Sequence, residues 1–571
     1  MRTVIRYTRP YLASVLFCLL IKAASVFFEL AIPRMLAVII DESVPSGDMT
    51  SVLINGGAML LFAFLGFLFN IIGNRTSAFA TGKIARDIRS ALFEKTVRLD
   101  VEATDKFGLS SLTSRLTTDS YNVTNFLARI MRLGVKAPLM LIGGIIITLT
   151  IDYRLALILI CALPLVALTV FTITKRSVPI YSSQQKSLDE VVRRIDETAS
   201  GIRVIKALSK TEYEKKRFSD SAKRLSDKEI KAGRLSSATK PINDFIFYLG
   251  FCLVILVGIY MAKTDGISAS GKLLAFMTYF TIILNNMIMM SRIFIQASRA
   301  AASARRIEEV LLTESVLPCN ADELAERTVD GYIAFDNVSF SYSGSALTLK
   351  NVSFSLKKGE TLGIIGATGS GKSTLIYLLL GLYTPSEGNI YIDGRNIKDL
   401  TSEELYSLFG VALQNDFLFA GSIYENISFF RDIDEAEVRK ASDTAQATEF
   451  IEGLEEGYCR HVTTGGTNLS GGQKQRTLIS RALVGEPDIV ILDDSSSALD
   501  YKTDKELRRA IKENVGTTTV IVSQRIATVM HADKILVLNN GELESVGTHD
   551  ELMKKSNIYS EIAEVQEITG R

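Results

Sequence analysis

Apolar residues follow two rhythms along this chain, and the rhythm changes near residue 310. Before that point, six apolar runs lie at roughly 11–33, 56–73, 131–151, 155–174, 244–262 and 273–295. Each approaches the ~20 residues an α-helix needs to cross a bilayer. Six such runs in one half predict membrane-spanning helices, not buried helices of a soluble core. The polar stretches between them alternate in character. Residues 41–50 are short and acidic (Asp41, Glu42, Asp48), and 263–272 is also short. Residues 74–130 and 175–243 are long and rich in Lys and Arg. Within them, Ile84–Val97 and Ser187–Leu208 carry apolar residues at helical spacing. The spans are therefore expected to continue as helices beyond the bilayer, with polar breaks at Asp100–Leu109 and Ser209–Tyr213. Lys and Arg near span ends favour the cytoplasmic side. That rule places the N-terminus and both long loops in the cytoplasm, and an even number of spans returns the second half there too.

Residues 311–329 read as a polar linker containing Pro318. From Tyr332 the pattern becomes strand-like, at Tyr332–Phe335, Phe340–Tyr342 and Val352–Leu356, with a further apolar run at Thr361–Ile365. Strands then alternate with helices, which predicts an α/β fold with a mainly parallel core. The expected division is a six-span helical membrane domain over 1–310, the linker, and an α/β domain over 330–571.

Composition agrees with this division. A chain of 571 residues exceeds one ordinary domain. It is 47% hydrophobic and only 22% charged, with mean hydropathy +0.21, so part of it belongs in lipid. The net charge of +1 lacks the basic footprint of a nucleic-acid binder. Cys18, Cys161, Cys252, Cys319 and Cys459 are scattered without C-x-x-C spacing, so no disulfide framework or zinc site is expected. Arg2, Arg6 and Arg9 lead into a run of full span length without a small-residue cleavage site, which reads as a first span and not a cleaved leader.

The chemistry begins at Gly366-Ala367-Thr368-Gly369-Ser370-Gly371-Lys372-Ser373-Thr374, which fits G-x-x-x-x-G-K-[ST]. It follows the run Thr361–Ile365 and opens an apolar helix over Leu375–Leu382. Glycines let backbone N–H groups turn inward around phosphate oxygens, and the helix N-terminus adds positive partial charge. Lys372 reaches the β and γ phosphates of a nucleotide, and the Ser373 hydroxyl ligates Mg²⁺. The apolar strand Ile489–Leu492 ends in Asp493, whose carboxylate is placed to hold Mg²⁺ through its water shell. These features alone do not separate kinase, GTPase, helicase and transporter.

Leu469-Ser470-Gly471-Gly472-Gln473, followed by Lys474-Gln475-Arg476, makes that separation. The run matches the signature of ATP-binding cassette (ABC) proteins. From its Arg-rich start to about residue 555 the whole chain resembles a half-size, multidrug-resistance-like bacterial exporter of that family. The resemblance implies that Tyr342 stacks on adenine, that Gln414 contacts Mg²⁺ and senses the membrane domain, and that Ser497-Ala498-Leu499-Asp500 is the loop after the Mg²⁺ aspartate. It implies that Asp105-Lys106-Phe107 and Lys210–Tyr213 are the two helices that dock on cassettes. It also implies head-to-tail pairing of two cassettes, each ATP lying between one chain's phosphate loop and the other chain's signature. The chain would then sit in the plasma or inner membrane, with membrane lipid and a small-molecule substrate as further partners.

This sequence departs from the family pattern in one place above all. The catalytic glutamate is replaced by Asp494, and the switch histidine by Gln524 within Ser523-Gln524-Arg525. His461, His531 and His549 do not fill that position. Aspartate is one methylene shorter, and a misplacement of about 1 Å can cost on the order of a hundredfold in rate. The glutamine amide carries no proton near neutral pH. Both changes together predict a site that binds ATP but hydrolyses it slowly. The segment Val462–Asn468 also lacks the usual acidic residue near Thr464. With an intact signature on the same chain, the expectation is a heterodimer with a second half-transporter. A lipid or peptide translocator of the same architecture stays open as an alternative. Lys22 and Glu29, seven residues apart on one face of the first span, are expected to face the translocation cavity or another span's polar group. Asn285, Asn286, Met287, Met289 and Met290 in the sixth span suit an adaptable pocket or helix packing equally.

Overall fold

The computed structural model describes residues 2–265, 270–313, 331–342, 346–414, 416–495, 499–513 and 517–568. Most of the expected linker, with Pro318 and Cys319, and the pair Ser497-Ala498 lie outside them. The chain divides into two compact units: Met1–Val97 with Leu109–Thr313, and Arg98–Gly108 with Glu314–Arg571.

Six helical segments of the first unit are long and apolar enough to cross a membrane: Val4–Ser43, Met49–Val97, Leu109–Ile151, Tyr153–Ser200, Thr211–Met261 and Ser270–Met290. The second and fourth are 49 and 48 residues long, more than twice what a bilayer needs, so they continue beyond it. Large apolar side chains such as Leu60, Phe64 and Phe67 point outward, as a lipid solvent requires. Inside, Leu30, Met140, Leu159, Phe276, Phe280 and Ile283 form a continuous buried cluster. Gly144 lets two spans approach closely, since a Cβ there would lie 2.7 Å from Ile283 Cγ1. The Tyr279 hydroxyl donates to the Leu30 carbonyl at 2.5 Å, so this buried tyrosine is satisfied. A wide helical turn at Arg115–Asp119 was not legible in the sequence. It holds Asp119, which is fully buried and receives the guanidinium of Arg306.

The expected break at Asp100–Leu109 contains a short helix, Val101–Phe107. Asp100 caps it, its carboxylate accepting from Ala103 N at 2.6 Å, and Gly108 ends it at φ +77°. A carboxylate cap and a terminal glycine bound about two turns of helix where the polar composition suggests a break. The long helix expected to Leu208 stops at Ser200, and Gly201 separates it from a second short helix, Ile202–Ala207.

The second unit holds twelve strands among the described residues: β1 Ile333–Phe340, β2 Leu349–Leu356, β3 Thr361–Gly366, β4 Glu387–Ile392, β5 Arg395–Asn396, β6 Phe409–Ala412, β7 Gly421–Ser422, β8 His461–Val462, β9 Ile489–Asp493, β10 Thr518–Val522, β11 Lys534–Asn539 and β12 Glu542–Gly547. Six form one sheet in the order β12-β11-β3-β10-β9-β6, parallel except for β12 at the edge. β3, β9 and β10 are almost wholly buried, as central parallel strands must be, and are mostly apolar, with Thr518 and Thr519 opening β10. A second, antiparallel sheet runs β2-β1-β4-β5. The two segments read as separate strands around Phe335 and Phe340 are one strand, interrupted by register shifts around Asn337, whose φ is +50°. One apolar core joins both sheets to the helix Lys372–Leu379, through Val338, Val352, Leu375, Ile376, Ile390, Ile491 and Val520.

Candidate nucleotide site

β3 runs between β10 and β11 and delivers the chain to Gly366 at the carboxyl edge of the sheet. A Cβ at Gly366 would lie 2.2 Å from the Leu538 carbonyl oxygen, so no side chain fits there. Gly369 and Gly371 take φ of +82° and +101°, and the helix Lys372–Leu379 begins at once. This is the turn that lets main-chain N–H groups face a phosphate. Lys372 is nearly buried, and its Nζ donates to the carbonyls of Gly366 and Ala367, both at 2.8 Å. The Ser370 hydroxyl is buried with no hydrogen-bond partner, a donor that phosphate oxygens would satisfy.

A cavity of about 240 Å³ opens on this loop. Thr368, Gly369, Gly371, Lys372, Ser373, Thr374, Gln414, Asp493, Asp494 and Gln524 all line it. Ser373 Oγ donates to Asp493 Oδ2 and Gln414 Nε2 to Asp494 Oδ2, each at 3.3 Å. Burial raises Asp493 above the usual carboxylate range, and Asp494 adds to the shift. Burial likewise raises Asp494, against Arg525 and Lys372. Burial depresses the Lys372 ammonium, while the two aspartates oppose that shift. Buried Asp493 and half-buried Asp494, with a serine hydroxyl beside them, make the oxygen-rich setting Mg²⁺ prefers, so the donor set fits the ion. Asp494 sits at φ +50°, a left-handed conformation that aspartate tolerates better than most residues.

Other expected residues fall nearby or elsewhere. Tyr342 is not on the cavity wall. Its hydroxyl lies 3.1 Å from Thr374 Oγ1, and its ring meets Phe340 and Tyr383 edge-on at 4.8 and 5.1 Å. Ser470, Gly471, Gly472 and Gln473 do not line the cavity either. Exposed Ser470 caps the helix Gly471–Leu483 in a reciprocal box: Gln473 N donates to Ser470 Oγ at 3.3 Å, and Ser470 N to Gln473 Oε1 at 3.0 Å. The structure thus gathers the phosphate loop, Gln414, Asp493, Asp494 and Gln524, and leaves the signature facing out.

Several positioning contacts were not visible in the sequence. Asp416 pairs with Arg481 of the signature helix at 2.6 Å, both largely buried. Gln475 Nε2 of that helix donates to the Asp494 carbonyl at 3.4 Å. Gln566, from Asn557–Ile568, brackets the Gln524 backbone: its Nε2 donates to Gln524 O and its Oε1 accepts from Ile526 N, both at 2.8 Å. Asp105 on the short helix Val101–Phe107 receives the Tyr383 hydroxyl, and Val101 packs on the core of this second unit. Burial, and then Asp105 beside it, push the Tyr383 hydroxyl far above the ordinary phenol range. Of these positioning side chains only Asp105 was singled out in the sequence, in the cassette-docking helix that the family resemblance implies.

Six apolar helices followed by this α/β unit define a class: a membrane transporter with an ATP-binding cassette on the same chain. Residues 15–287 match the ABC transporter transmembrane region, and residues 349–497 match the family described as ABC transporter. The chain is 36% identical over 574 residues to the uncharacterized ABC transporter ATP-binding protein YfiB of Bacillus subtilis (strain 168), covering 99% of this chain and 98% of that one. It is 31% identical over 577 residues to the uncharacterized ABC transporter ATP-binding protein Rv1273c of Mycobacterium tuberculosis (strain ATCC 25618 / H37Rv), with the same coverage. The solved structure of a bacterial Atm1-family ABC exporter with ATP bound superposes with a TM-score of 0.82 at 24% identity, covering 97% of this chain and 99% of that one. That likeness speaks to fold alone. The chain belongs to the ABC transporter family, as a half-transporter with one membrane domain and one ATPase cassette.

Proposed function

We propose that this chain is one half of a heterodimeric, ATP-driven exporter whose own phosphate loop binds ATP but hydrolyses it slowly. The observation that carries the reading is the meeting of Asp494 and Gln524 in the cavity of Lys372 and Ser373. The positions where the family resemblance calls for glutamate and histidine hold instead a shorter carboxylate and an amide. The Asp494 side chain is engaged by Gln414 at 3.3 Å, and Gln524 can donate to a phosphate oxygen without gaining or passing on a proton. Ser373, Gln414 and Asp493 would hold Mg²⁺, which supplies charge neutralisation to the phosphates. Lys372 and the loop N–H groups would hold the phosphates, and Tyr342, off the cavity wall with its hydroxyl 3.1 Å from Thr374 Oγ1, would meet an adenine that extends beyond the cavity.

The outward-facing signature supports the second half of the reading. Ser470 and the N-terminus of a 13-residue helix are exposed and away from the chain's own cavity, so they are free to complete a partner's ATP site. The partner then supplies the ordinary glutamate and histidine. Basic loops put the N-terminus and cassette in the cytoplasm, in a bacterial plasma or inner membrane. The transported molecule is hydrophobic or amphipathic. The test is ATPase activity of the purified chain, alone and with a second half-transporter from the same genome that carries the glutamate and histidine at the matching positions. Activity should be low alone and restored by the partner. Robust hydrolysis by the single chain contradicts the heterodimer.

A further inference from the structure

Apart from the nucleotide site, the membrane unit contains a charged cavity of about 430 Å³. Lys22, Arg129, Arg132 and Lys136 line it, and no aspartate or glutamate does. Lys22 is 1% exposed, and its Nζ meets Asn70 Oδ1 at 2.5 Å, Asn74 Oδ1 at 2.8 Å and the Asn70 carbonyl at 3.2 Å. Three acceptors require three N–H bonds, which only the ammonium form has. All three are neutral, so the lysine is hydrogen-bonded while its charge stays uncompensated. Gly73 makes room for it: a Cβ there would lie 2.8 Å from Lys22 Cε. Lys136 pairs with Glu29 at 2.6 Å. Arg132 Nε donates to the Ala128 carbonyl at 3.1 Å, and among the described residues neither Arg129 nor Arg132 has a carboxylate partner. Four cations therefore face one nearby carboxylate, inside a unit built from membrane-spanning helices. Lys22 lies within the first apolar run, where such charge is costly and marks a functional site by default, while Arg129 and Arg132 stand at the start of the third run and add to the same cavity. Leu133 and Met289 add an apolar wall.

We propose that this cavity is an anion subsite that takes a carboxylate, sulfate or phosphate head carried on an apolar body, and so selects anionic amphiphiles over cationic ones. That the bound molecule is also transported rests on the exporter reading above; the binding does not. An anionic lipid head group and a free amphiphile share this chemistry.

The test uses the full chain with its partner in phosphatidylcholine nanodiscs, radiolabelled dodecyl phosphate as probe, dodecyltrimethylammonium as its cationic counterpart, and empty discs as background. Dodecyl phosphate should bind saturably and at least ~10-fold tighter than the cation. Arg129→Gln with Arg132→Gln should lose that preference, and Arg129→Lys with Arg132→Lys should keep it. Equal binding, a preference for the cation, or an unchanged Gln variant would overturn the proposal. In phosphatidylglycerol discs, loss of dodecyl phosphate binding identifies the lipid head as occupant, and retention identifies a free amphiphile; both support the anion subsite. Absence of ATP-driven uptake into inverted vesicles would overturn the exporter reading and leave the binding result standing.

Discussion

Asp493 and Asp494 are adjacent carboxylates in one buried site, and their environments set how the site responds to acid. Burial holds Asp493 above the ordinary range, and Mg²⁺ needs the ionised form. Mg²⁺-dependent ATP retention should therefore fall away at a higher pH than an ordinary aspartate, with pKa about 3.9, would allow. ATP binding in EDTA should lack that fall. Titrating nucleotide retention on the full chain with and without Mg²⁺ checks this, and parallel curves would count against Asp493 as the metal carboxylate. At this scale much of the site was legible. The nine residues Gly366–Thr374 are contiguous, and short-range spacing encodes a loop whose work is done by its own backbone. What was not legible joins residues far apart in sequence. Arg481 reaches Asp416, and Gln566 holds the backbone at Gln524, without any local pattern to announce them.

The elements around the site are fixed by caps and buried amides as much as by apolar faces. Asn426 is 2% exposed, accepts from Phe419 N at 2.8 Å and donates to Phe419 O and Ser422 O at 2.9 and 3.0 Å. Asn426→Ala would leave those groups unpaired in the cassette core. It should destabilise the cassette by about 3 kcal/mol, read as a lower Tm of the full chain. A Tm unchanged from wild type would mean water replaces the amide. Long apolar periodicity made the six spans legible, because lipid rewards a continuous apolar surface. The antiparallel sheet β2-β1-β4-β5 was legible only in part: β1 and β2 read as strand segments, but β1 is interrupted at Asn337, and its pairing with β2 and β4 has no local signal. Periodicity alone gave only a polar break at the helix Val101–Phe107, since seven residues carry too little of it; the family resemblance put a helix at Asp105-Lys106-Phe107, and Asp100 and Gly108 mark its ends.

As a whole molecule, the chain carries two nucleotide-facing surfaces that belong to different ATP sites in the proposed heterodimer. Lys372, Asp494 and Gln524 share one cavity, while Ser470 stands outside it. Lys372→Ala should weaken ATP binding at the chain's own site and reduce turnover of the pair to an intermediate degree, because bound ATP there helps hold the cassettes together. Steady-state ATPase beside ATP-binding affinity checks it, and unaltered affinity would contradict the role given to Lys372. The most direct measurement compares Ser470→Arg with Asp494→Ala, each paired with a wild-type partner, by steady-state ATPase. Ser470→Arg places bulk and charge where the partner's ATP meets a small hydroxyl and helix N–H groups, and should cost about a hundredfold or more. Asp494→Ala should cost no more than about twofold, because the slow site proposed for this chain has little rate to lose. Equal damage from the two substitutions would make this chain's own cavity a principal hydrolytic site and contradict the account.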